Sequence, residues 1–582
     1  MRLSHAAIVW AFVTCLAVAA EPATVQSPDG KVAFSLSTNP DGPAFSLAMD
    51  GRPLLSDSPL GLLPTGSDPI GPGLQVTTSR VTDVDQVWTP VCGTASQIRD
   101  RHRLLQVDLA EPGTDGRAIT ILVRAYDDGI AFRYRVPVEA KEYKLDGERT
   151  AFRFAEDPKV WALPVKGFRT SYEGKYTVAP LSELGETLIG LPITLEMSGG
   201  KWMAITEAHL EDYAGLYLAT SPQSPKTLLT RLSTRGKESA VVRAAPFETP
   251  WRVILLGRRA GDLIESQIVS NCNPPCAIED AAWIKPGKVT WDWWPKWMVS
   301  GVEFNGGVNT ATYLHYADFA AEAGFPYLLI DEGWSWWETR PGNDGKMTRV
   351  TDITRAVKDV DLPAIIEHCH KKGVRVWLWL TWSHCDAQMA EAFPLYEKWG
   401  IAGVKVDFMN RDDQWMVNWY HKVAREAAKH HLMVDMHGAY KPTGISRTWP
   451  NMLTFEGVMG LECCKWSSDI TPQHNVTLPF TRMLAGPMDY TPGGFNCLPP
   501  DRFKPRDSAP FVMGTRCHQL AQYVVYYSPL QMCVDYPEEY RGAVGFEFLR
   551  WVPTTWDESR VIDGYPGKYV LLARRKGNEW YV

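Results

Sequence analysis

The sequence has no surplus of basic residues: 60 Lys and Arg against 67 Asp and Glu give a formal net charge of -7. A surface that tracks phosphates needs a basic face whose cations displace counterions, so nucleic acid is excluded as a partner. Past the first twenty residues no segment is continuously apolar for the length a membrane helix needs, so no membrane span is expected after processing. There is no internal repeat and no low-complexity tract, which argues against repeat arrays and compositional disorder. Cysteine is sparse, with Cys272 and Cys276 the closest pair apart from the adjacent Cys463 and Cys464, so disulfides are left open. His368, Cys369 and His370 fall on a predicted helix where neighbouring side chains diverge, and they are not read as a metal cluster.

What is present starts with Met1 and Arg2 ahead of an apolar run from Ala6 to Ala19 that closes on small residues. This reads as a signal peptide over 1–20 and a secreted or periplasmic protein. With 45% hydrophobic and 22% charged residues the chain buries a core, and at 582 residues it exceeds what one core organises. Tryptophan and tyrosine are abundant, at 24 and 22. Their flat faces and polar edges suit sugar rings, although a large core uses them too.

From residue 21 to 281, short alternating segments such as Lys31 to Ser37 are broken by Pro, Gly, Asp and Asn turns, the pattern of a large N-terminal β-sandwich. Pro274, Pro275, Pro286 and Gly287 mark a boundary, and the character of the chain then changes. From 282 to 550, apolar strand-like runs at Val289–Trp294, Tyr327–Ile330, Val374–Leu380, Gly403–Met409, Leu432–His437 and Leu453–Gly457 alternate with helical stretches. A parallel sheet covered on both faces follows from this. A span of about 270 residues suits a (β/α)8 barrel, whose last two strands are expected near Met483–Tyr490 and Gln531–Asp535. An open doubly wound sheet is the alternative. From 551 to 582 the pattern is β-like again, so a C-terminal β domain is expected to begin there and to be cut short. The fold class is therefore multidomain, α/β plus all-β.

Barrel active sites lie at the C-terminal ends of the strands, so polar residues just after apolar strands are the candidates. They are Asp292, Asp331, Glu332, Asp407, Asp435, His437, Glu456 and Glu462. Any one of them also suits a helix cap or a structural carboxylate, and it is the set that points to chemistry. Glycosidic bond cleavage needs one carboxylic acid to protonate the departing oxygen and one carboxylate to attack carbon or activate water.

The run HGAYKPTGISRTWPNMLTFEGVMGLE from His437 to Glu462, with GVKVDFMNRDDQ upstream and ITEAHLEDYAGLYL in the β-rich region, resembles glycoside hydrolase family 97. The likeness covers nearly the whole mature chain. Inverting members of that family carry a glutamate after the histidine of the HGAYKPTG stretch and lack the aspartate of KVDFM. This chain has Gly438 and Asp407, so it looks like the retaining branch, which implies Asp407 as nucleophile and Glu462 as acid/base. The resemblance also implies a Ca2+ ion held by Glu207, Glu456 and Glu462, hard oxygen donors of the kind calcium takes. His437, Lys441 and Asp331 are expected to hydrogen-bond substrate hydroxyls, and Trp334, with Trp293, Trp294 and Trp336, to stack on sugar. The expected activity is release of terminal α-galactose from a glycoside or oligosaccharide through a covalent glycosyl-aspartate. An α-glucosidase or a β-L-arabinopyranosidase of the same family is the alternative within the class. A non-catalytic carbohydrate-binding protein is the alternative outside it.

Overall fold

The computed structural model describes residues 21–113, 117–341 and 346–582; the expected signal peptide lies outside them. The N-terminal region is β-rich. Ala23–Gln26, Val32–Asn39, Gly42–Met49 and Arg52–Pro59 form a four-stranded antiparallel sheet, which faces a second, 14-stranded sheet. Period-two patterning creates the layer between them, because alternate side chains leave a strand on opposite faces. Val32, Phe34 and Leu36 are buried while the residues between them are partly exposed. Phe45 of the small sheet stacks on Phe34 at 5.5 Å and meets Phe132 of the large sheet at 5.3 Å.

The central region is a nearly closed parallel barrel. Its strands are β1 (Gly287–Trp291), β2 (Tyr327–Ile330), β3 (Arg375–Thr381), β4 (Gly403–Asp407), β5 (Met433–Met436), β6 (Met452–Phe455) and β7 (Leu530–Cys533), in sheet order β7-β1-β2-β3-β4-β5-β6. Helices α1 (Thr310–Ala323), α2 (Leu362–Lys371), α3 (Trp382–Trp399) and α4 (Gln414–Lys429) follow the first four strands. Sharp boundaries come from capping: Asn309 accepts the Thr312 N–H at the start of α1, and Gly324, at φ 74°, ends it.

The strand expected near Met483–Tyr490 does not form. Gly486 has φ 137° and Pro487 and Pro492 lack N–H donors, so no regular ladder can run there. The segment still fills the gap between β6 and β7 with single bonds, Asp489 N–H to the Phe455 carbonyl and Met488 N–H to the Tyr527 carbonyl, each 2.8 Å. A hairpin not anticipated from the sequence, Ser335–Pro341 with Met347–Ala356, is inserted after β2. Glu558–Tyr565, Tyr569–Lys576 and Glu579–Tyr581 form a three-stranded C-terminal sheet. The described cysteines, Cys272 and Cys276 included, are free. Among the described residues no helix is long and apolar enough to cross a membrane.

Strand parity splits the barrel into two packed layers. Val289, Trp291, Tyr327, Leu329, Trp377 and Met433 belong to a lumen cluster. Their alternates Leu328, Ile330, Val376, Leu378, Val404 and Val434 pack into a separate cluster with the helices. Continuing the lumen parity toward the C-terminal ends reaches Asp331, Trp379, Lys405, Asp407 and His437.

Candidate active site

Those parity residues converge. A cleft of about 260 Å³ at the C-terminal end of the barrel is lined by Trp291, Asp331, Trp379, Lys405, Asp407 and His437, joined by Glu456, Glu462 and Trp466. Ser171 and Glu173 reach it from the β-rich region. The volume is at or below the low end of the roughly 300 to 1,000 Å³ typical of small-molecule sites, which suits a single sugar ring.

Asp407 closes β4. Its carboxylate accepts hydrogen bonds from Trp379 Nε1 at 3.0 Å and from the Phe408 N–H at 2.6 Å, which fix its orientation. Phe408 has φ 69°, so the chain turns away sharply after the aspartate. Two residues earlier Lys405 is fully buried on the same face. Its Nζ donates to Asp331 at 3.0 Å and lies 4.1 Å from the Trp291 ring centroid. Burial disfavours the Lys405 cation, but Asp331, Asp407, Glu462 and Asp435 outweigh it and raise the pKa. Trp291 Nε1 donates to the same Asp331 oxygen at 2.6 Å. Asp331 is therefore locked from two sides at the pocket wall.

Glu462 sits in a 3-10 turn, Leu461–Lys465, beyond β6. Burial, reinforced by Glu173 and Asp407, pushes its carboxyl up to about 7. Glu456 follows β6 and is buried; desolvation first, then the charge of Glu173, raises its pKa well above the usual range. Glu173 is shifted upward for the same first reason, burial, with Asp407 adding to it. His437 stands between carboxylates, Nε2 2.7 Å from Asp489 and Nδ1 3.4 Å from Glu456. Burial alone would keep it neutral, yet the surrounding acids raise its pKa well above the ordinary value.

One ligand atom from each of His437, Glu456 and Glu462 lies within 4.8 Å of the others, and Asp435, His437 and Asp489 form a second such group. Carboxylates that raise one another's pKa in a buried site carry uncompensated negative charge, which a divalent cation neutralises. Glu456 and Glu462, with Glu173 beside them, offer the hard oxygen set that fits such an ion. His437 already serves two acids and is the poorer donor.

Five of the expected residues lie outside the cleft lining. Glu207 is fully buried away from the cleft, with Lys441 Nζ at 2.6 Å, Arg252 Nη1 at 2.8 Å and the Leu216 N–H at 2.9 Å. These donors occupy both of its oxygens, so the β-rich region reaches the pocket through Glu173 instead. Lys441 is spent on the same pair and on Asp412 at 3.7 Å, and does not face the cleft. Trp334 is fully buried and donates to the Trp379 carbonyl at 2.8 Å, where no sugar reaches it. Trp294 is core, and Trp336 carries the Arg355 guanidinium at 3.7 Å. The aromatic walls are Trp291, stacked on Trp293 at 5.5 Å, with Trp379 and Trp466. Lys405 was detectable from its period-two relation to Asp407. Glu173, in the segment SYEGKY, carried no local signal.

Three sequence profiles match, described as glycosyl-hydrolase 97 N-terminal over residues 25–275, glycoside hydrolase 97 over 293–458, and glycosyl-hydrolase 97 C-terminal, oligomerisation, over 555–582. A retaining alpha-galactosidase of Bacteroides thetaiotaomicron is 34% identical over 96% of this chain and 86% of its own length. A probable retaining alpha-galactosidase of Streptomyces bingchenggensis is 30% identical over 96% of this chain and 82% of its own. Among solved structures, a glycoside hydrolase family 97 enzyme of Pseudoalteromonas sp. strain K8 in complex with panose superposes with TM-score 0.86 at 31% identity, over 95% of this chain and 87% of that one. A beta-arabinopyranosidase superposes with TM-score 0.82 at 26% identity, over 96% and 89%.

Proposed function

The chain belongs to glycoside hydrolase family 97 and is a glycosidase; from that premise we propose that it releases terminal α-galactose with retention of configuration, using Asp407 as nucleophile and Glu462 as acid/base. The observation that carries the reading is that these two carboxyls share one small cleft in different environments. Asp407 is held by two N–H donors, whereas Glu462 is pushed up to about 7 by burial and so keeps a proton near neutrality. In the first step Glu462 gives its proton to the glycosidic oxygen as an Asp407 oxygen bonds to the anomeric carbon and the aglycone leaves. In the second, Glu462 takes a proton from water, the water oxygen bonds to that carbon, and Asp407 departs as carboxylate. Two inversions give net retention.

Lys405 and Asp331 supply a fixed cation and acceptor for sugar hydroxyls, and Trp291 and Trp379 exclude water from one wall. Glu456 and Glu462, with Glu173, would hold Ca2+, and the ion would supply positive charge that orients the substrate. The two retaining relatives favour galactose. The size of the cleft favours exo action.

The test is NMR of the first anomer released from p-nitrophenyl α-D-galactoside, with the α-glucoside and the β-L-arabinopyranoside in parallel. Initial α-galactose, lost in EDTA and restored by calcium, is expected. Initial β-galactose would overturn the Asp407 assignment, and preferred turnover of another glycoside would overturn the galactose assignment.

A further inference from the structure

A crevice of about 460 Å³ lies where the β-rich region, the barrel and the C-terminal sheet meet, and it shares no lining residue with the catalytic cleft. Among the described residues, two arginines line it and no aspartate or glutamate does. Arg574, on the strand Tyr569–Lys576, is only 1% exposed. Its Nη2 donates to the Val525 carbonyl at 3.1 Å, while Nε and Nη1 are buried with no hydrogen-bond partner among the described residues. Arg447, just inside the barrel region, donates from Nη1 to the Ser270 and Asn271 carbonyls at 3.1 and 2.9 Å. Its guanidinium carbon lies 4.3 Å from the Trp88 ring centroid, and its Nε is buried and unpaired.

Burying a cation is costly unless it is paired and hydrogen-bonded, and unmet N–H groups add to the cost. A guanidinium stays protonated at neutral pH; the Asp100 charge acts on Arg447, so the partner missing above all from Arg574 is an anion. Arg offers parallel N–H donors that match a planar or tetrahedral oxyanion. We propose that this crevice is a non-catalytic oxyanion site in which Arg574 and Arg447 bind a carboxylate, sulfate or phosphate group. Burial pulls the Arg574 pKa down, opposed by Tyr527, as befits a cation lacking its counterion. The volume exceeds that of a bare inorganic anion, and Trp88, Leu263 and Leu484 give it apolar walls. An oxyanion carried on a ring-sized body therefore fills it better than a free one.

Isothermal titration calorimetry on the full chain tests this with sodium sulfate, sodium phosphate and sodium cyclohexanecarboxylate, against sodium chloride at equal ionic strength and cyclohexylmethanol as a neutral control. Saturable binding of at least one oxyanion is expected, weakened about tenfold or more in Arg574→Met and in Arg447→Gln, with turnover of the galactoside unchanged in both. Tighter binding of the cyclohexane carboxylate identifies an organic ligand, and tighter sulfate or phosphate a free ion. Absence of saturable heat from every oxyanion, or equal affinity in wild type and Arg574→Met, overturns the proposal. Should Arg574→Met fail to fold, Arg447→Gln decides by the same tenfold criterion.

Discussion

Two carboxyls on one pocket wall do different work because their neighbours differ. Asp407→Ala removes the attacking oxygen and is expected to lower kcat on the order of 10⁴-fold with little change in fold, read by steady-state kinetics beside a thermal melt. Glu462 acts as acid only while protonated, so kcat/KM on a substrate with a poor leaving group falls as pH rises through about 7; a cation bound beside it moves that limb lower. A profile of the calcium-loaded enzyme with no basic limb at or below about pH 7 would remove Glu462 from the acid role. Glu207 sits in a buried ion-paired cluster instead. Burial opposes its charge, but Lys441 and Arg252 overcome this and hold its pKa below the usual value. Glu207→Gln breaks a buried pair and is expected to cost about 3–5 kcal/mol in urea unfolding, while calcium affinity by titration is unchanged. The converse result would return Glu207 to the metal shell.

The turns after β4 and β5 act as one element. Gly438 has φ 52°, and a Cβ there would lie 2.7 Å from Phe408 N and 2.8 Å from Phe408 Cα. The Gly438 N–H donates to Glu456 at 2.6 Å, and its carbonyl accepts from the Asn410 N–H at 2.7 Å. No side chain fits unless the Phe408 backbone moves, and that backbone holds Asp407. Gly438→Ala is therefore expected to cost roughly 1–3 kcal/mol in strain and to reduce kcat as well, checked by melting temperature and kinetics together. An unchanged kcat in a folded variant would show that the turn does not position the nucleophile. The same geometry explains why no carboxylate follows His437 here: the space it would need is occupied by the β4 turn. The sequence identified the glycine, but the reason for it lies in a contact between residues thirty positions apart.

At the scale of the molecule, buried acids at the barrel ends make stability depend on pH. Asp292, after β1, is pushed up to about 8 by burial and the Asp331 charge, and Asp535, after β7, to about 7 by burial. Both hold protons in the fold that an unfolded chain releases near pH 4. Their contribution is full below that point and is lost as pH rises through about 7 to 8. Urea unfolding at pH 5 and pH 8 is expected to show a loss in wild type that is smaller in Asp535→Asn; an equal loss would mean that Asp535 does not titrate in this range. The sequence by itself determined the alternation of apolar strands and amphipathic helices, the β-rich character of the regions on either side, and the places where Asp407, Glu456 and Glu462 follow their strands. Each of these is set by local periodicity, which the chain writes directly. The tertiary structure alone decided which acid from the β-rich region reaches the cleft, that Lys441 is consumed by Glu207, and that a Gly-Pro segment stands in for the eighth strand. Those outcomes depend on distances between segments far apart in the chain, where the balance of burial, charge pairing and steric fit is settled only once the regions have packed together.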